Sequence, residues 1–260
     1  METLNLIIST IQADLIWEDK SQNFQLFEKL FSEVSNDSKL IVLPEMFTTG
    51  FSMNPTAFAE MMDGESVTWM KQQAAQMNKF ITGSLIIKED SLFYNRLIVA
   101  DPNGEVTYYD KKHLFRYANE HENYSPGLKH LIVKIGDFNI AFFVCYDLRF
   151  PVWSRNIKLQ YHAAIYIANW PKKRRDHWST LLKARAIENQ AYVIGVNRIG
   201  EDGNGVKYSG DSTVFNPLGE KISTTEPNTA TVENINLNLD LVNEYRIKFP
   251  AHLDADDFQL

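Results

Sequence analysis

The sequence predicts an α/β protein, one domain in which a sheet or a pair of sheets is covered by helices. Three observations carry that expectation. Apolar β-rich runs alternate with stretches of helical period along the 260 residues. Turn signals join several neighbouring strands directly, so the sheets are mixed. No linker, repeat or low-complexity stretch interrupts the chain, so residues 1–260 read as a single domain.

Leu4 to Ile11 is a first strand. Asp19 to Val34 sets Phe24, Leu26, Phe27, Leu30 and Phe31 on one stripe of a helix, which Asn36-Asp37 follows as a turn. Leu40 to Leu43 is a short, wholly apolar strand, of the kind buried on both faces. Glu65 to Met77 reads as a helix. Phe80 to Ile87, Leu92 to Ala100 and Glu105 to Tyr109 form a meander, with Asp101-Pro-Asn-Gly104 as a turn. Leu131 to Ile135 and Phe138 to Val144 flank the hairpin signal Gly136-Asp137. Tyr146 to Pro151 resembles a tight turn that opens a helix with proline near its start. Tyr161 to Ala168 is a strand, Arg175 to Gln190 a strong helix and Tyr192 to Asn197 a strand. Gly200 to Gly205 is a polar hairpin tip. Ser212 to Phe215 and Thr229 to Ile235 are short strands around Asn216-Pro-Leu-Gly219. Asp240 to Lys248 is a last short helix, and the acidic tail from Asp254 to Leu260 is expected to wrap outward.

Composition excludes several function classes. One cysteine leaves no room for an intrachain disulfide, a Cys-only zinc cluster or a Cys-x-x-Cys redox pair. The balance of 26 basic and 33 acidic side chains, −7 in all, argues against nucleic acid as a partner. The longest apolar runs, such as Ile140 to Tyr146, fall far below the roughly 20 residues of a membrane helix. The N-terminus has an early Glu2 and no basic or long apolar region, so it is no secretory signal. The expected setting is a reducing compartment, in a bacterium the cytoplasm. The six histidines lack metal-site spacing, and Gly200 to Gly205 lacks the following Lys-Ser/Thr of a phosphate loop. No metal and no cofactor is expected.

The lone cysteine follows an apolar strand. A thiol at the C-terminal end of such a strand faces the crevice where α/β sheets bind ligands, and a helix N-terminus nearby would lower its pKa. Free cysteines are also common, inert core filler. Glu45, in Leu43-Pro-Glu45, follows another buried strand. Lys111 and Lys112, in Tyr109-Asp-Lys-Lys-His113, follow a third. Glu120 and Glu122 precede the turn Ser125-Pro-Gly127. Singly, each reads as well as a solvated loop residue. Together, a thiol, a carboxylate that can deprotonate it and an ammonium that can stabilise an oxyanion make a coherent site.

These segments resemble the carbon–nitrogen hydrolase (nitrilase) superfamily over nearly the whole chain. The resemblance runs through Leu43-Pro-Glu45, Tyr109 to Phe115, Cys145 to Phe150, Lys183 to Val193, Gly210-Asp-Ser212 and Asn216 to Glu220. It implies a four-layer α-β-β-α sandwich, a homodimer and a Glu-Lys-Cys triad. The lysine two residues before the histidine of Lys-x-His-Leu-Phe selects Lys111, and the spacing to Ser-Pro-Gly selects Glu120. By the same resemblance Glu45 is the general base, Cys145 the nucleophile and Glu120 a positioning group. Lys111 and the backbone N–H of Tyr146 are the oxyanion donors. Pro44 to Phe51, Lys112 to Arg116 and Asn169-Trp-Pro171 look most similar to the omega-amidase branch, which acts on 2-oxoglutaramate and 2-oxosuccinamate. Such substrates need a cation for their carboxylate. Arg149 is a candidate, against an alternative ion pair with Asp147. Trp170 is a candidate pocket wall, against packing on the following helix. Phe47, Phe115 and Tyr117 complete the expected lining. The competing readings are an N-carbamoyl amine or amino-acid hydrolase, another short aliphatic amidase, and a non-catalytic interaction protein on the same fold.

Overall fold

The computed structural model describes residues 4–256. Strands β1 (Asn5–Gln12), β2 (Leu40–Val42), β3 (Phe80–Glu89), β4 (Leu92–Ala100) and β5 (Val106–Asp110) lie side by side. The first three run parallel, and β3 to β5 form the antiparallel meander read from the sequence. A second sheet contains β6 (Ile132–Ile135), β7 (Phe138–Val144), β8 (Ala163–Ala168) and β9 (Tyr192–Asn197). Its middle pairs, β7 with β8 and β8 with β9, are parallel. A ribbon of β10 (Ile199–Glu201) and β11 (Lys207–Ser209) carries the Gly200–Gly205 tip. Strand β12 (Thr213–Phe215) edges the second sheet, and β13 (Thr231–Asn238) pairs antiparallel with β1 to complete the first at six strands.

The helices are α1 (Lys20–Leu30), α2 (Pro55–Phe58), α3 (Glu65–Met77), α4 (Glu120–Asn123), α5 (Arg175–Asn189) and α6 (Leu239–Lys248). Asp19 caps α1, its carboxylate accepting the N–H of Gln22 at 2.9 Å. Side-chain alternation along β2 sorts the layers. Leu40 and Val42 join Leu97, Val99, Phe142, Val144, Ile165 and Ile167 in an apolar layer between the two sheets. Ile41 and Leu43 point the other way, toward Phe27 of α1 and Trp69 and Met70 of α3. On the outer face of the second sheet, Trp178, Leu182 and Ala186 of α5 are buried, and Val242 of α6 is buried in the same core. The result is the four-layer α-β-β-α sandwich. Among the described residues no helix is long and apolar enough to cross a membrane.

Three local expectations are corrected. The helix opened by Pro151 does not form. Cys145–Arg149 is a five-residue 3-10 turn, and it ends at Phe150, whose extended φ −114° and ψ 87° are what a residue before proline must adopt. The strand expected from Tyr161 starts at Ala163, because Tyr161 instead exchanges hydrogen bonds with the Asn156 side chain. The strand expected over Thr229–Ile235 runs Thr231–Asn238, in register with β1. Of the acidic tail, Asp254 to Asp256 are exposed, and 257–260 lie outside the described residues.

Candidate active site

Each candidate side chain sits where a strand hands over to a loop. Lys111 follows β5, Cys145 follows β7 and Asn169 follows β8. Glu45 follows β2 after Leu43 and Pro44. The chain then reverses through Met46, whose φ is +44°. Cys145 has the same left-handed φ of +44°. For a residue with a side chain this conformation costs roughly 1–3 kcal/mol and persists only where surrounding contacts impose it. Here Asp147 imposes it. Its carboxylate accepts the N–H of Val144 at 3.0 Å, the Tyr109 hydroxyl at 2.7 Å and the N–H of His113 at 2.9 Å. One buried acid thereby ties the cysteine turn to the loop that carries Lys111.

The Lys111 ammonium is fully enclosed. It donates to Glu45 Oε1 at 2.9 Å and to Glu120 Oε1 and Oε2 at 3.0 and 2.9 Å. Both carboxylates are completely buried. Burial opposes the charge on Lys111, but Glu120 and Glu45 outweigh it and hold the proton more tightly than in a free lysine. Glu120 opens α4 and also accepts the N–H of Phe115 at 2.6 Å, yet burial leaves its pKa raised. Glu45 is pinned on both oxygens. Oε1 accepts from Asn95 Nδ2 at 2.7 Å, and Oε2 accepts the backbone N–H of Asn169 at 2.7 Å. Asn169 Nδ2 in turn donates to the Glu45 carbonyl at 2.6 Å.

The Cys145 thiol belongs to this cluster. Burial, and then the Glu45 carboxylate, push its pKa well above the ordinary thiol value. That corrects the expectation of a thiol acidified by a helix N-terminus: only a five-residue 3-10 turn begins there, and two carboxylates stand close by. A thiol that rests protonated beside a carboxylate is suited to give up its proton as it attacks. Cys145 is 9% exposed and opens onto a cavity of about 990 Å³.

The cavity sorts the remaining candidates. Phe115, Tyr117, Tyr146, Arg149 and Trp170 all line it. Trp170 meets both expectations, since its ring also packs against Trp178 of α5 at 5.4 Å. Arg149 makes no ion pair with Asp147, whose oxygens are taken up by the contacts above. Its guanidinium lies over the Trp170 ring at 4.7 Å and meets His177 Nδ1 at 3.1 Å. Phe47 is the one expected lining residue that the structure places elsewhere. The left-handed turn at Met46 sends its ring into the helix-facing core, against Phe27 at 5.4 Å and Trp69 at 5.7 Å. Gly83 makes room for it, because a Cβ there would stand 2.8 Å from the Phe47 ring.

Sequence reasoning missed several residues here. Asn95, in mid-strand, donates to both Glu45 and Glu120. The available signal was the polar pair Asn95-Arg96 within the mainly apolar run Leu92 to Ala100. The basic run Lys172-Lys-Arg-Arg175 suits, as sequence, a solvated helix start or a dimer contact, but Lys172, Lys173 and Arg174 line the cavity. The ribbon tip contributes Asp202, Asn204 and Gly205. Lys112, the alternative to Lys111, instead lies over the Trp153 ring at 5.1 Å.

A buried thiol, carboxylate and ammonium at the foot of a cavity, on a four-layer sandwich, are the equipment of a hydrolase. The chain belongs to the carbon–nitrogen hydrolase family, whose model matches residues 7–247. It is 47% identical to the omega-amidase YafV of Escherichia coli (strain K12) over 98% of each chain. It is 32% identical to the 2-oxoglutaramate amidase of Bacillus subtilis (strain 168), over 83% of this chain and 85% of that one. Among solved structures, a carbon–nitrogen hydrolase superfamily protein from Xanthomonas campestris, with an arsenic adduct in its active site, superposes with a TM-score of 0.95. That protein is 40% identical, over 98% of this chain and 99% of its own.

Proposed function

We propose that this hydrolase cleaves the terminal amide of small 2-oxo dicarboxylic acid monoamides, 2-oxoglutaramate and 2-oxosuccinamate, to the diacid and ammonia. The observation that carries the reading is the convergence of Cys145, Glu45 and Lys111 at the foot of a cavity rich in cations. Amides are poor electrophiles, so a covalent route through a thioester divides one hard step into two easier ones.

In this scheme Glu45 takes the thiol proton as the Cys145 sulfur attacks the amide carbon. The tetrahedral oxyanion is held by the Lys111 ammonium and the N–H of Tyr146. The carbon–nitrogen bond then breaks, and the proton on Glu45 leaves with the nitrogen as ammonia. Glu45 next removes a proton from water, and the hydroxide attacks the thioester. Collapse expels the thiolate, which recovers its proton from Glu45 as the diacid departs. Glu120 keeps Lys111 in place and shares its charge. Arg149 receives the distal carboxylate, with Phe115, Tyr117 and Trp170 as walls. The similarity to an omega-amidase and a 2-oxoglutaramate amidase supports the choice of substrate.

A panel of 2-oxoglutaramate, 2-oxosuccinamate, carbamoyl-putrescine, an N-carbamoyl amino acid and simple aliphatic amides, read by ammonia release, tests the reading. The oxo-acid amides should give the highest kcat/KM. A preference for carbamoyl substrates would overturn it. We also propose a cytoplasmic homodimer formed by one-domain chains. Ile247, Phe249 and Leu253, near the C-terminus, are largely exposed apolar residues suited to a partner surface. Light scattering should give about twice the 30.0 kDa chain mass, and a monomeric mass at working concentration would contradict it.

A further inference from the structure

We propose that Arg174 is a specificity-determining residue, forming with Arg149 a pair of guanidinium groups that receives the distal carboxylate of an anionic amide. The inference rests on the function proposed above and deepens it: charge selection falls to two arginines rather than to Arg149 alone.

The cavity is far more basic than the molecule. The protein carries a formal charge of −7. Yet Arg149, Lys172, Lys173, Arg174 and Lys207 line the cavity, against Asp202 as the one acid in its lining. Asp202 is already occupied. Its carboxylate accepts the N–H groups of Asn204 and Val206 at 2.9 and 3.0 Å and the Tyr208 hydroxyl at 2.7 Å.

Four other arginines of this chain, Arg96, Arg175, Arg185 and Arg198, are paired with carboxylates, while Arg155 and Arg246 donate to backbone carbonyls. Arg149 and Arg174 pair with no carboxylate among the described residues. Both line the same pocket, near enough to interact: burial first, and then Arg174, make the Arg149 guanidinium easier to deprotonate than an ordinary arginine. Two like charges kept close in a partly desolvated pocket repel, and an anion between them removes the repulsion.

Both groups are also held in place. Arg149 lies over the Trp170 ring, and Arg174 over Phe115 and Tyr117 at 5.3 and 5.7 Å. The Trp170 indole donates to the Arg174 carbonyl at 2.8 Å, which fixes the backbone of one arginine to the platform of the other. A guanidinium presents a planar fork that matches a carboxylate in two parallel hydrogen bonds. An α-keto acid offers two carboxylate oxygens and a neighbouring ketone oxygen, enough acceptors for both forks.

The test compares acid and neutral substrates of the same length. kcat and KM are measured for 2-oxoglutaramate against its methyl ester, and for succinamate against butanamide. The proteins are the wild type, Arg174→Gln, Arg174→Lys, Arg149→Gln and the double glutamine variant. In Arg174→Gln the acid-to-neutral ratio of kcat/KM should fall roughly 10- to 100-fold, mainly through KM. Arg174→Lys should recover part of it, and the two glutamine substitutions should be non-additive. An unchanged ratio, or equal losses on acid and neutral substrates, would overturn the inference. If wild-type enzyme ignores both oxo-acid amides and turns over another amide, the proposed function fails. The ratio is then read on the carboxylated and neutral forms of that amide, where the same fall supports the arginine pair and its absence refutes it.

Discussion

Replacing Cys145 with serine or alanine is expected to lower ammonia release by at least about 10⁴-fold, as loss of an enzymatic nucleophile generally does, while the fold survives. The physical case rests on what Glu45 can deprotonate. A carboxylate beside a thiol can take its proton during attack, even though burial and the Glu45 charge raise that thiol's pKa. A serine hydroxyl in the same place is a far weaker acid, and the same carboxylate cannot activate it. Both replacements are small and leave the Asp147 hydrogen bonds to Val144, Tyr109 and His113 untouched, so the turn keeps its left-handed residue. Thermal melting should therefore stay near that of the wild type. The single cysteine of the sequence makes the control simple. Iodoacetamide should label wild-type protein once per chain, block its activity, and leave either variant unlabelled. Turnover in Cys145→Ala equal to that of the wild type would end the mechanistic proposal.

Lys111→Met and Glu45→Gln should both inactivate, by roughly 100- to 1,000-fold or more, and yet move stability differently. Among the described residues Lys111 is the only cation hydrogen-bonded to Glu45 and Glu120, which are both fully buried. Removing it leaves two buried carboxylates without their shared cation, a loss of about 3–5 kcal/mol at neutral pH. Glu45→Gln removes one negative charge, keeps the shape and leaves Lys111 paired with Glu120. Its amide NH2 must face a former donor, so it should melt somewhat below the wild type but above Lys111→Met.

The pH dependence gives the sign. The pKa of Glu120 is already raised by burial, and Lys111 is the group that pulls it down. Without the lysine it rises further. A carboxyl group whose folded pKa is raised adds stability in acid, and that stability is lost as pH climbs through the folded value. Lys111→Met should thus be least stable in alkali and recover as the pH falls from about 8 toward 5, a change that Glu45→Gln should not share. In Glu45→Gln, loss of the charge next to Cys145 should shift the alkylation profile of the thiol to lower pH. Melting curves across pH, with iodoacetamide rates beside them, check both statements. Coincident melting of the two variants at every pH would contradict the buried charge balance.

Much of the site was legible because chemistry and strand ends coincide in the sequence. Leu40 to Leu43 announces a strand by unbroken apolarity, and the Glu45 that follows must then lie at its C-terminal end. Phe138 to Val144 and Cys145 repeat the argument. Lys111 could be separated from Lys112 only by resemblance, and the structure gives the physical ground: one ammonium meets two buried carboxylates, while the other lies over Trp153.

Phe47 shows where such reasoning stops. Its distance along the chain from Glu45 suggests a shared pocket, but a left-handed Met46 turns it to the opposite side of the sheet. Arg174 shows the converse. In sequence it is one of four consecutive basic residues at a helix start; in space it lines the same cavity as Arg149, each guanidinium lying over aromatic rings.

By itself the sequence determined the order and kind of the elements, since periodicity and turn residues are local properties of the chain. It also determined, through residue types at strand ends, that a thiol, a carboxylate and an ammonium were available. Tertiary structure alone decided that residues as distant as Glu45, Asn95, Lys111, Glu120, Cys145 and Asn169 meet in one buried cluster. That meeting depends on strand order and on backbone turns at Met46 and Cys145, which are fixed by long-range packing and by the hydrogen bonds of Asp147. Local pattern does not encode them.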